Sequence, residues 1–132
     1  MMVSVLAVAK SLEIVATEMS QKGLEISKKI MKRWGANDTQ IAAVLSISSV
    51  ELGELSSCEI SMDQLIRISS ILNIHTALRT LFNNEKNVNG FMTMENNSSF
   101  FGGITPLEFI ESGNLHDIKQ TTNYLISISL GN

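Results

Sequence analysis

Apolar and polar residues alternate along this chain with a period near 3.6, the spacing of one face of a helix. From residue 3 to 21, Val5, Leu6, Val8, Leu12, Val15 and Met19 recur among Lys10, Glu13 and Glu18. This predicts a helix whose apolar arc is wider than a lone surface helix needs. Such a helix either packs under the body of the fold or meets a second copy of itself. Gly23 is its expected end. A sharply two-sided helix is predicted next, over Leu24 to Trp34. Leu24, Ile26, Ile30, Met31 and Trp34 share one arc, and Lys28, Lys29, Lys32 and Arg33 the other.

Capping residues divide the remainder. Asn37 with Gln40 and Ser48 with Glu51 have the spacing of capping boxes. The first opens a helix whose buried side is Ile41, Val44 and Leu45; the second opens a short helix through Leu55. Two short capped helices joined by Ser46-Ile47-Ser48 predict a helix-turn-helix, with Ser46 in a left-handed position that glycine usually takes. Ser61 with Gln64 starts a helix showing Met62, Leu65, Ile66, Ile68, Ile71 and Leu72 to the core. A break is expected near Asn73, before Ala77, Leu78, Leu81 and Phe82 resume the pattern. The Asn-rich stretch 83–99 reads as a short helix followed by a loop. Beyond it stands Phe101-Gly102-Gly103-Ile104-Thr105-Pro106-Leu107-Glu108. Two glycines free the backbone for positive φ, Thr105 and Glu108 form a further box, and Pro106 takes the first helical position. That helix stops near Gly113. Asn114 with Asp117 opens a last helix bearing Leu115, Ile118, Tyr124 and Leu125. Leu107 and Leu125 read as core, Phe100 and Tyr124 as the better interface anchors. The tail from Leu125 to Asn132 alternates apolar and polar, and either extends the helix or forms an extended arm.

Composition narrows the class to an all-α protein of one domain, or one small domain with an appendage. At 132 residues and 44% apolar, the chain can build a core, and its single proline leaves most of it free to be helical. The net charge of −3 works against DNA affinity, which leans on positive charge. Cys58 stands alone, which suits a reducing compartment. The first twenty residues lack the basic start of a secretory signal, and no run approaches a membrane span, so the expectation is a cytoplasmic protein. His75 and His116 lack metal-ligand spacing, and no nucleophile motif or dinucleotide fingerprint is present. The expectation is therefore no catalytic residue, no metal and no cofactor, in a protein that is not an enzyme.

The FGG–x–(S/T)–P–L–E run and the Gly before a final helix ending Tyr124-Leu125 resemble the Xre/MbcA/ParS antitoxin family, in its toxin-binding domain. The likeness extends through Leu72-Asn73-Ile74-His75-Thr76-Ala77-Leu78-Arg79-Thr80-Leu81-Phe82 and Trp34-Gly35, covering about residues 24 to 126. It implies an N-terminal helix (1–22), a helix-turn-helix-like domain (23–75) with Ile47, Leu52 and Leu55 buried, and a toxin-binding domain (76–132). It also implies an antitoxin that neutralises a cognate toxin, most often a RES-domain enzyme consuming NAD, by covering its active site. Homodimers and repression of the protein's own operon are further implied. The expected toxin-binding residues are Phe100, Phe101, Gly102, Gly103, Thr105, Pro106 and Glu108 at the turn, with Tyr124, Ile128, Leu130, Gly131 and Asn132 from the last helix and tail. The expected recognition helix carries Glu51 and Glu54 and no side chain suited to base edges. Any operator contact is therefore expected to be weak, through Lys28, Lys29, Lys32, Arg33, Ser48 and Ser49. The alternative is a helix-turn-helix transcription regulator with no toxin partner, and a third reading is an interaction module with no toxin at all.

Overall fold

Side-chain caps decide where the helices begin. The computed structural model describes residues 5–54 and 59–131, with side-chain surroundings from residue 18 onward. These residues form seven α-helices and no strand: α1 (Val5–Arg33), α2 (Asp38–Leu45), α3 (Ser49–Gly53), α4 (Met62–Leu81), α5 (Glu85–Gly90), α6 (Pro106–Ile110) and α7 (Leu115–Ser129). A 3₁₀ turn, Phe91–Thr93, follows α5. All four capping boxes form: Asn37 with Gln40, Ser48 with Glu51, Ser61 with Gln64, and Thr105 with Glu108. Each satisfies two backbone donors that a helix start would otherwise leave unpaired. Asn114 likewise accepts from the Asp117 N–H. Ser46 ends α2 at φ 55° and ψ 48°, the left-handed conformation expected of the turn. Leu55, Cys58 and Asn132 lie outside the described residues, as do the side chains of the first apolar arc up to Val15.

At the centre, α4 touches α1, α2, α5 and α7. Its buried positions, among them Arg67, Ile68, Ile71, Ile74 and Leu78, fill one broad side of the helix, while Ser69, Asn73, Thr76 and Thr80 on the other side face solvent. Ile68, Ile71, Ile74 and Leu78 of α4 are at most 2% exposed, as are Leu24 and Met31 of α1 and Trp34 just beyond its end. Ile41 and Leu45 of α2, Ile110 of α6, and Ile118 and Leu125 of α7 complete this core.

Three helix expectations are corrected. Gly23 does not end a helix, because α1 runs through it as one 29-residue element. A Cβ on Gly23 would sit 3.1 Å from Ile68 Cγ2, so the glycine brings α1 close to α4. One turn on, the buried Ser27 hydroxyl donates a long 3.5 Å bond to the Ile68 carbonyl at the same crossing. The close packing offsets the roughly 1 kcal/mol that glycine costs inside a helix. Nor does α4 break at Asn73: that side chain faces solvent while Ile71 and Ile74 hold the core on either side. The expected boundary at 75 thus falls inside α4. Finally, Ile26, Met62 and Leu65 are exposed, at 39%, 71% and 36%, and Met19 stands out at 69%. Their arcs are apolar, but nothing among the described residues covers them.

The α2–α3 segment and the C-terminal helices are bolted together by Arg67, which is buried. Its Nη1 donates to the Val44 carbonyl at 3.0 Å and the Gly113 carbonyl at 2.7 Å. Its Nε donates to the Asp63 carboxylate at 2.9 Å. Gly113, at φ +80°, lies so close to α2 that a Cβ there would come within 2.3 Å of the Ala43 carbonyl oxygen. Gln64 donates to the Ser46 carbonyl, and Gln40 to the Glu111 carboxylate, each at 2.8 Å.

Candidate functional site

The loop before α6 closes on itself. Asn96 N–H donates to the Ile104 carbonyl at 3.1 Å, and the Gly103 N–H returns to the Asn96 carbonyl at 2.8 Å. Inside that closure the Gly102 N–H donates to the Ser98 carbonyl at 2.9 Å. Gly102 and Gly103 both take positive φ, +66° and +97°, which explains the glycine pair. No atom lies within 4 Å of a Cβ built on Gly102, so this is an open, exposed backbone apex. Gly103 is half-buried, with Asn97 Oδ1 3.6 Å from its Cβ position.

Four aromatic rings support the loop. Phe100 stacks on Tyr124 of α7 with centroids 4.7 Å apart and planes at 15°. Phe101 meets Phe100 and Phe109 edge-on, at 4.8 and 5.6 Å. Edge-on and offset pairs of this kind add roughly 0.5–1.5 kcal/mol each beyond area burial. Phe100 and Tyr124 remain partly exposed, whereas Phe101 and Pro106 are buried. Those two lie beneath the loop surface, under the partly exposed rings. Leu107 and Leu125 are core, as expected. Thr105 is half-buried and Glu108 exposed, with the Glu108 carboxylate accepting from the Thr105 N–H.

The tail is helical: α7 continues to Ser129, and Ile126 and Ile128 pack partly buried against the core. Leu130 is 72% exposed and Gly131 follows it at φ +84°. Alongside α7, Met62, Leu65 and Ile66 of α4 with Ile126 and Thr122 of α7 border an open groove of about 500 Å³. Sequence reasoning missed it, because it assigned Met62 and Leu65 to the core.

The basic face of α1 divides. Lys28 donates to the Leu52 carbonyl in the last turn of α3 at 3.0 Å, favourable for a helix C-terminus. Lys32 sits 3.8 Å from Asp38, an exposed pair worth little. Lys28, Lys29 and Lys32 border a shallow groove with Leu52, Gly53 and Glu54. Arg33 instead faces α4 and α5. There it lines a cleft of about 280 Å³ with His75, Arg79, Phe82, Asn83, Asn84, Glu85, Val88 and Asn89. Burial holds the His75 imidazole below its ordinary pKa, Arg79 and Arg33 push the same way, and Glu85 opposes them. The expected recognition helix, α3, is five residues long; Ser48 and Ser49 are exposed and Val50 is 77% exposed. Ile47 and Leu52 are buried, as the resemblance implies.

Among the described residues no group of three or more His, Cys, Asp or Glu side chains could hold a metal ion, and no helix is long and apolar enough to cross a membrane. No family model, curated protein or solved structure matches this chain.

Proposed function

We propose that this protein is an antitoxin whose C-terminal helices bind and neutralise a cognate protein toxin. The observation that carries this reading is the open Gly102 apex, held by a self-closed loop and a four-ring aromatic cluster. A partner's backbone can approach such an apex where a Cβ would obstruct it. The closed loop and the Thr105–Glu108 box fix its direction, so docking costs less conformational entropy. Partly exposed Phe100 and Tyr124 supply aromatic anchors of the kind that dominate binding energy. The resemblance to the Xre/MbcA/ParS family adds the class of partner, a RES-domain enzyme that consumes NAD, whose active site the module would cover. Homodimer formation and repression of the protein's own operon belong to the same reading.

The test is co-expression with the product of the adjacent open reading frame, scored for growth rescue and co-purification. Rescue by the wild type and by Gly102→Ala, which carries the same backbone strain at positive φ, and its loss in Gly102→Arg is the expected result. A neighbouring product that is harmless when expressed alone would remove the antitoxin reading.

The second reading, a DNA-binding regulator with no toxin, draws on the α2–Ser46–α3 unit and its left-handed turn. The shortness of α3 and its Glu51 leave it little means of reading bases. Sequence-selective binding to an operator fragment would favour it.

A further inference from the structure

Arg33 and Arg79 come from different helices yet face one cleft, and neither forms an ion pair or hydrogen bond among the described residues. Unpaired guanidiniums are unremarkable when they point apart into water. Here they converge on His75, which is one helical turn before Arg79 on α4. The imidazole Nδ1 is buried without a partner, so a proton added there would find no acceptor among the described residues. Glu85 of α5 is the one carboxylate among the lining residues. Two guanidiniums against that carboxylate leave one net positive charge, and a proton on His75 makes it two. Asn84 uses its side-chain oxygen to cap α5, accepting from the Asn87 N–H at 2.9 Å. Its amide N–H groups therefore remain as donors at the cleft, beside those of Asn83.

We infer that this cleft, between the end of α1, α4 and α5, binds a phosphate-type dianion, either the free ion or the phosphate of a small monoester. A tetrahedral dianion presents oxygens in several directions and can serve two guanidinium forks and an amide at once, which a single carboxylate cannot. The volume of about 280 Å³ leaves room for an attached group. A nucleic acid strand would instead require cations spaced along a surface. The inference does not rest on the antitoxin reading.

Occupancy couples to His75. The groups facing it are Arg33 from α1, Arg79 from its own helix and Glu85 from α5. With the cleft empty the two arginines disfavour the imidazolium; a dianion reverses their field, so the bound-state pKa exceeds the free-state one. Affinity is then highest below the free-state pKa and is lost as pH rises through the bound-state pKa.

The experiment is a titration of the full chain with sodium sulfate, whose charge is constant over this pH range, and separately with inorganic phosphate and ribose 5-phosphate. The ring resonances of His75 are followed by NMR, with His116 as the internal reference. A saturable shift at His75 alone, a raised His75 pKa in sulfate, and affinity lowered about tenfold or more in Arg79→Gln and Arg33→Gln but not in Lys119→Gln are expected. Both arginines are exposed, so the variants should fold, and their melting curves verify it. Tighter binding of ribose 5-phosphate than of inorganic phosphate assigns the site to a monoester; equal binding assigns it to the free ion. A non-saturating shift shared by both histidines, an equal loss in Lys119→Gln, or displacement of sulfate by duplex DNA would overturn the inference.

Discussion

Arg67 sits between Ile66 and Ile68 on an otherwise apolar run, where a sequence pattern reads it as an interruption. Besides Asp63 one turn away, its partners are carbonyl oxygens 23 and 46 residues away, so the sequence near it does not announce the clamping role. Replacing it by methionine keeps much of the side-chain volume but leaves the Val44 and Gly113 carbonyls without this donor. Arg67→Met is expected to cost about 2–4 kcal/mol, since buried acceptors lose a charge-assisted bond. For a domain of this size that lowers the melting temperature by roughly 10 °C. Asp63→Asn is the contrasting case: Asp63 is 47% exposed, and its pairing with Arg67 is worth less than about 1 kcal/mol. Equal melting temperatures for Arg67→Met and wild type would show that water replaces the arginine freely. Ser46 shows the opposite kind of residue, one whose left-handed backbone was legible because the turn between two caps demanded it.

At the scale of elements, α7 illustrates how two periodicities can overlap. The run Leu125 to Leu130 alternates like a strand, yet Ile118, Thr121, Leu125 and Ile128 also recur at helical spacing, and that stripe prevails. Buried Thr121 weakened the stripe in the sequence. Deleting Leu130 to Asn132 should leave the melting temperature unchanged, because Leu130 and Gly131 are exposed. Deleting from Ile128 should cost about 1 kcal/mol, the share of an isoleucine that is only partly buried. In the antitoxin reading both truncations weaken toxin capture. If the shorter one still protects cells fully, the contact lies on the Phe100–Glu111 face alone. The α2–α3 segment, read as a helix-turn-helix, makes a different forecast. Of the basic face of α1, Lys28 is held by α3 and Arg33 faces the other cleft, leaving Lys29 and Lys32 as the cations that a DNA backbone would meet in the regulator reading. DNA binding is expected to be weak and unselective, with log affinity falling against log salt by roughly 0.9 per phosphate contact. Lys29→Glu with Lys32→Glu should abolish it for all sequences alike; filter binding at several salt concentrations would reveal any selective, salt-tolerant complex that contradicts this.

For the whole molecule, the central place of α4 makes cooperative unfolding the expected behaviour. A cut after His75 severs α4 and parts Ile68, Ile71 and Ile74 from Ala77 and Leu78, all of them buried. Fragment 1–75 should therefore lack stable tertiary structure, and the intact chain should unfold in one transition. Trp34 fluorescence and far-UV circular dichroism would coincide; separated midpoints would instead indicate two independent units. The helix starts capped by Asn37, Ser48, Ser61, Thr105 and Asn114, the all-α class, the Ser46 turn and the bent Gly102–Gly103 loop were determined by the sequence itself. A cap or a left-handed turn is a bond or a torsion within about four residues, and its chemistry is written in those residues. Tertiary structure alone decided that Gly23 is a crossing point, that Arg67 is buried, that Met62 and Leu65 face outward, and that Arg33 leaves its lysine neighbours for His75 and Arg79. Each of these depends on what lies across from the residue, and the element lying there is tens of positions away along the chain.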